Sequence, residues 1–154
     1  MERAIMPSSI KILSVDTDDK LYRSEELFRL AQDHFADMLV PYILPNKFYE
    51  HLLATERSNL GLDGYGIKSF VLSMMETAVN VSQTQVPAHV VHDTLRMGRN
   101  MLSYPINLFP GIAECLPQIT EIYNLVLITK SDLFHQEQKL AQSILEGFLK
   151  MCIF

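Results

Sequence analysis

The sequence predicts an α/β fold that is mainly helical, with two parallel strands separated by a large all-helical insertion. Three observations carry this expectation. Ile10, Ile12, Leu13 and Val15 form a short apolar run with no turn former inside it, Asn124-Leu125-Val126-Leu127-Ile128-Thr129 forms another, and most of the chain between them repeats its apolar positions at helical spacing. Short apolar runs without alternation are how strands covered on both faces read, and such strands belong to parallel sheets.

The first run ends in Asp16, Asp18 and Asp19. In open parallel sheets the carboxyl end of a strand is where ligands bind, and like charges this close repel unless a cation or protons neutralise them. A divalent metal is the natural counter-ion. Taken alone, the same cluster also describes a solvated cap after a core strand.

After Tyr22 the pattern turns helical. Ser24 is placed to cap a helix, with Glu25 and Glu26 in its first turn and Leu27, Leu30, Ala31, Phe35, Met38 and Leu39 as its apolar stripe, until Pro41 and Pro45 close it. A second helix begins near Asn46, buries Phe48, Tyr49, Leu52 and Leu53, and gives out before Gly61, Gly64 and Gly66. Those glycines follow no strand and have the wrong spacing for a phosphate loop, so they read as a helix connection. Ile67, Phe70, Val71, Met74, Met75 and Ala78 mark one face of a third helix, and Pro87 opens a fourth through Val90, Val91, Leu95, Met101 and Leu102. His89 and His92 have no third ligand at metal spacing and read as a solvated pair. Pro105 and Pro110 bracket a loop, and Gly111 opens a short helix that Pro117 kinks or shortens.

A chain of 154 residues holds one domain, or a small core with an inserted subdomain. Its net charge of −5, with scattered Lys and Arg, gives no footprint for nucleic acid. No stretch has the length and hydropathy to cross a bilayer, and the N-terminus has no continuous apolar leader, so the expectation is a cytoplasmic protein with no membrane partner. Cys115 and Cys152 fit neither a disulfide framework nor a zinc site and are expected to be buried, inert thiols.

Asp16-Thr17-Asp18-Asp19 followed by Leu21-Tyr22 resembles the first motif of the haloacid dehalogenase (HAD) superfamily, mostly magnesium-dependent phosphatases. Lys20 stands where that pattern has Thr. Leu125-Val126-Leu127-Ile128-Thr129, followed by Lys130-Ser131-Asp132, resembles the second motif, although Ser131 stands where close relatives often carry Gly. A helical insertion between the two matches the family's first class of cap. The resemblance implies a partial Rossmannoid core from residues 8–22 and 105–154 and a helical cap from 23–104.

It also implies a phosphoric monoester hydrolase acting on a small phosphorylated metabolite. Asp16 would be the nucleophile and Asp18 the acid/base, Thr129 and Lys130 would bind the phosphoryl group, and Asp16 with Asp18 would hold Mg2+. The family's later lysine and second acidic pair have no counterpart here, and neither Lys130 nor Lys139 takes that lysine's motif position. The chain therefore reads as truncated after the second motif, with a weakened magnesium site further threatened if Lys20 folds back on Asp16 and Asp18. The alternative is a catalytically inactive remnant that acts by binding. Ile144 removes the usual glycine stop, so one helix is expected from about Asp132 to Lys150. Two strands leave sheet edges open, which predicts a mainly helical monomer of modest stability or a homodimer that hides them.

Overall fold

The structure, a computed structural model, describes residues 11–16 and 18–153, without the side chains of 144, 146 and 149–153. The expectations for residues 8–10 and for burial of Cys152 lie outside the described residues.

By their internal packing the described residues divide into two compact units. The first takes the chain up to Arg23, Pro105–Thr129 and the segment from Gln136 onward; the second takes Ser24–Tyr104 with Lys130–His135.

In the first unit β1 (Ile12–Asp16), β2 (Asn124–Ile128) and β3 (Leu149–Ile153) form a parallel sheet in the order β1-β2-β3. β2 is central, and Leu125, Val126 and Leu127 are buried. β1, expected to be covered on both faces, is not. Leu13 and Val15 are half-buried, whereas Ile12, Ser14 and Asp16 face solvent. The cause is strand periodicity: residues 12, 14 and 16 share a face, and two of the three are polar.

Leu21, Tyr22, Leu116, Leu140 and Leu145 join β2 in one apolar cluster. α5 (Ile112–Thr120) starts at Gly111, whose φ of 86° suits glycine, and runs nine residues with Pro117 inside it. Its inward residues are Ile112, Leu116 and Ile119. Cys115 falls outside that face and is exposed, against the expectation of a buried thiol.

The continuous helix expected from Asp132 to Lys150 does not form. α6 (Leu133–Ala141) stops early, a 3-10 turn spans Ile144–Phe148, and β3 follows as a third strand beyond the two anticipated. Ser143 explains the stop. Its hydroxyl donates to the Leu140 carbonyl at 2.9 Å and accepts from the Leu145 N–H at 3.2 Å, offering the backbone an alternative to the helical ladder. Leu145 then drops into the core at 0% exposure, and the chain pairs with β2. The register steps from Leu125↔Leu149 to Val126↔Met151, so Lys150 is the extra residue of a bulge.

The second unit is built from α1 (Glu25–Met38), α2 (Pro45–Asp63), α3 (Ile67–Val81) and α4 (Ala88–Leu102). Phe35 and Phe48 meet edge to face at 5.5 Å in its core, and Phe28 meets Phe70 at 5.0 Å. α2 continues through Gly61 and ends only at Gly64, where φ is +68°. Leu30, Tyr49, Leu53 and Leu95, counted in the apolar stripes, are exposed. In α4 the inward face instead holds Thr94 and Gly98. Thr94 is satisfied by donating to the Val90 carbonyl at 2.7 Å. His89 and His92 are exposed, as expected of a solvated pair.

Gly98 is there for space. A Cβ at this position would lie 2.5 Å from Val71 Cγ2, and a helical valine has essentially one rotamer, so the methyl has nowhere to turn. Gly98→Ala gains about 1 kcal/mol of helix propensity but incurs about 1–3 kcal/mol of overpacking. Urea denaturation should therefore show a net loss of stability, and the same substitution in a Val71→Ala background should become stabilising.

Candidate active site at the carboxyl edge of the sheet

The site is placed by strand register. β1 and β2 run parallel with Asp16 opposite Ile128, so Asp16 and Thr129 both leave the sheet at its carboxyl edge. Asp16 is exposed there and Thr129 is buried. Beyond β1 the chain makes a tight loop: Asp19 adopts φ 53°, and its N–H donates to the Tyr22 carbonyl at 3.0 Å. Aspartate tolerates that left-handed conformation better than most residues. Tyr22, almost fully buried, bridges to Leu108, and Phe109 N–H donates to the Leu21 carbonyl at 2.9 Å. The loop is thus anchored at its far end, which fixes where Asp18 can lie.

Asp18 is half-buried among polar groups. Gln136 Nε2 donates to its Oδ2 at 3.4 Å, and Tyr22 Oη donates to Gln136 Oε1 at 3.1 Å. The Lys139 ammonium sits 4.9 Å from the Tyr22 ring centroid. Burial pushes the Asp18 carboxyl above the ordinary carboxylate range; Lys139 and the Tyr22 hydroxyl oppose this, while Asp16 and Asp19 add to it. Burial lowers the Lys139 ammonium in turn, with the Asp18 charge opposing. A carboxyl whose proton affinity burial raises is better suited to giving and taking a proton than a fully solvated one.

Of the residues singled out from sequence, Asp16, Asp18 and Thr129 share one edge of one unit. The Lys130 ammonium lies 5.9 Å from the Tyr65 ring centroid, and residues 130–135 group with the helical unit. Lys20 is exposed and forms no ion pair among the described residues. Sequence reading missed Tyr22, Gln136 and Lys139 as site residues. On α6 the apolar Leu133 and Phe134 are exposed, while Gln136 is buried. Gln136, Lys139 and Leu140 follow the i, i+3, i+4 spacing of a single helix face, which is the signal that was available.

The start of α6 is set by Asp132. Its Oδ1 accepts the His135 N–H at 2.9 Å, an N-cap bond, and the Lys68 ammonium lies 3.0 Å from its Oδ2. The His135 N–H first, and Lys68 after it, hold this carboxyl below the ordinary aspartate range.

The oxygens of Asp16 and Asp18 are hard donors of the kind magnesium takes. Among the described residues, however, no three acidic, cysteine or histidine side chains gather to hold a metal ion. Asp18 Oδ2 also already accepts an amide proton. The described residues do not make a complete cation site.

No family model matches the sequence, and no curated protein matches it. Solved structures do. A haloacid dehalogenase-like family hydrolase from Xanthomonas campestris is 38% identical, covers 94% of this chain and 61% of its own length, and superposes with a TM-score of 0.87. The HAD-like protein YfnB from Bacillus subtilis, solved with magnesium bound, is 14% identical over 93% of this chain and 64% of its own, with a TM-score of 0.58. A predicted phosphoglycolate phosphatase from Haemophilus somnus is 16% identical over 96% of this chain and 63% of its own, with a TM-score of 0.56. The chain is similar to haloacid dehalogenase-like hydrolases and shares the fold of these structures, an α/β core with a helical cap. It spans less than two thirds of the length of each of these three structures. Among the described residues no helix is long and apolar enough to cross a membrane.

Removing the α6 cap gives a direct test of its local structure. Asp132→Ala should lower stability by about 1 kcal/mol in chemical denaturation, whereas Asp132→Asn should retain most of the cap. Because folding depresses this carboxyl, its contribution is complete above the ordinary aspartate range and is lost as pH falls below it. The difference between wild type and Asp132→Ala should accordingly shrink in acid.

Proposed function

We propose that the chain carries the phosphoryl-transfer residues of a HAD-family phosphatase acting on a small phosphorylated metabolite. The observation behind this reading is the parallel register that brings Asp16, Asp18 and Thr129 to one edge of the sheet. An Asp16 oxygen attacks phosphorus, the bond from phosphorus to the ester oxygen breaks, and Asp18 gives its proton to the departing alcohol. Asp18, now a carboxylate, takes a proton from water as that water attacks phosphorus; the aspartyl–phosphate bond breaks and inorganic phosphate leaves. The raised proton affinity of Asp18 suits the first of these steps. The Thr129 hydroxyl holds a phosphoryl oxygen. Lys130, the residue after Thr129, brings a positive charge to the phosphoryl group.

Magnesium, when bound, neutralises charge on the phosphoryl group. With Asp16 and Asp18 as its donors among the described residues, magnesium would be held mainly through water ligands, and weakly. That incomplete donor set is also what favours the second reading, a non-catalytic HAD relative that acts by binding.

Hydrolysis of p-nitrophenyl phosphate by the purified chain separates the two. The phosphatase reading predicts turnover that rises with Mg2+, falls in EDTA, and drops at least about 100-fold in Asp16→Asn. Turnover indistinguishable from that variant would support the binding reading.

A further inference from the structure

We infer that α6 supplies the positioning residues of the acid/base: Gln136 and Tyr22, with the Lys139 ammonium against the Tyr22 ring, hold the Asp18 carboxyl in the orientation from which it exchanges protons with substrate. This rests on the phosphatase reading of Asp18. Gln136 and Lys139 lie outside both the first and the second motif.

The Gln136 amide is buried, at 1% exposure. A buried amide is tolerated when both of its ends are engaged, and here they are engaged on different partners. Tyr22 Oη donates to Oε1 at 3.1 Å, which fixes the opposite end, Nε2, toward Asp18 Oδ2 at 3.4 Å. The Tyr22 hydroxyl also bears directly on the Asp18 carboxyl, so the phenol and the amide hold it together. Glutamate at 136 would present only acceptors to an acceptor, and an apolar side chain would present nothing.

Lys139 completes the arrangement from the same helix face, three residues on. Its ammonium lies over the Tyr22 ring, where the π face attracts a cation, and its charge is felt at Asp18. The Tyr22–Gln136 and Asp18–Gln136 contacts span 114 and 118 residues of sequence. They join α6 to the β1 loop and are not by-products of local helix geometry. Without them Asp18 would be a short side chain on a tight loop, free to rotate. Misplacement of an acid/base by about 1 Å costs up to about 100-fold in rate.

The test uses the full chain and a double-mutant cycle. Gln136→Met removes the amide at similar volume. On p-nitrophenyl phosphate it should lower kcat about 10-fold or more while leaving KM within about twofold, and in an Asp18→Asn background it should cost nothing further. An unchanged kcat, or an equal loss in the Asp18→Asn background, overturns the inference, because a merely structural role would act in both backgrounds.

Absent wild-type turnover removes the phosphatase reading and with it the acid/base role. Carbon-13 NMR of carboxyl-labelled aspartate then still decides whether the contact exists. The Asp18 resonance, identified by its loss in Asp18→Asn, should shift in Gln136→Met more than those of Asp16 and Asp19, and an unmoved resonance overturns the clamp itself.

Discussion

The parallel pairing of β1 with β2, with Asp16 opposite Ile128, is the constraint on which both the core and the site depend. Side chains alternate along a strand, so a slip of one residue would turn Leu13 and Val15 outward and Asp16 inward. The apolar cluster would lose two members and gain a carboxylate. The register that puts Asp16 and Thr129 at a common edge is therefore enforced by hydrophobic burial well away from any chemistry. A stable sheet and the placement of Asp16 thus depend on the same register.

Beyond the sheet, placement is achieved by polar contacts that burial makes costly to leave incomplete. Asp18 is pushed toward its neutral form by burial, and Lys139 is likewise pushed toward neutrality, each opposed by the other's charge. Groups like these are retained only when they find partners, and Tyr22 and Gln136 provide them. Asp132 plays the corresponding part at the head of α6, capping the helix that carries Gln136 and Lys139. The turn at Ser143 ends that helix and lets Leu145 fill the core.

Much of this was legible in the sequence because it follows from spacing. The two strands, the four helices of the insertion, the Ser24 and Pro87 helix starts and the acidic exit of β1 are all local patterns. What failed to show was whatever depends on a partner distant in sequence. Ile144 lacks the usual glycine, but the stop came from the Ser143 hydroxyl next to it, and β3 forms because β2 has a free edge to pair with. Leu133 and Phe134 are apolar yet exposed, and the buried face of α6 belongs to Gln136 because Tyr22 and Asp18 await it across more than a hundred residues. Lys139, set aside because it stands at no motif position, is brought to Asp18 by the fold. Ile12 misled because an apolar residue in a strand says nothing about which face is covered.

The central claim is that Asp16 is a nucleophile and more than a solvated cap. It is tested most directly by acid-quenching the chain during reaction with a phosphate ester and mapping any covalent adduct by mass spectrometry. The account predicts a mass gain of one phosphoryl group on the peptide carrying Asp16, absent from Asp16→Asn and retained in Asp18→Asn. An unmodified Asp16 while ester is being hydrolysed, or a phosphoryl group on another residue, would contradict it.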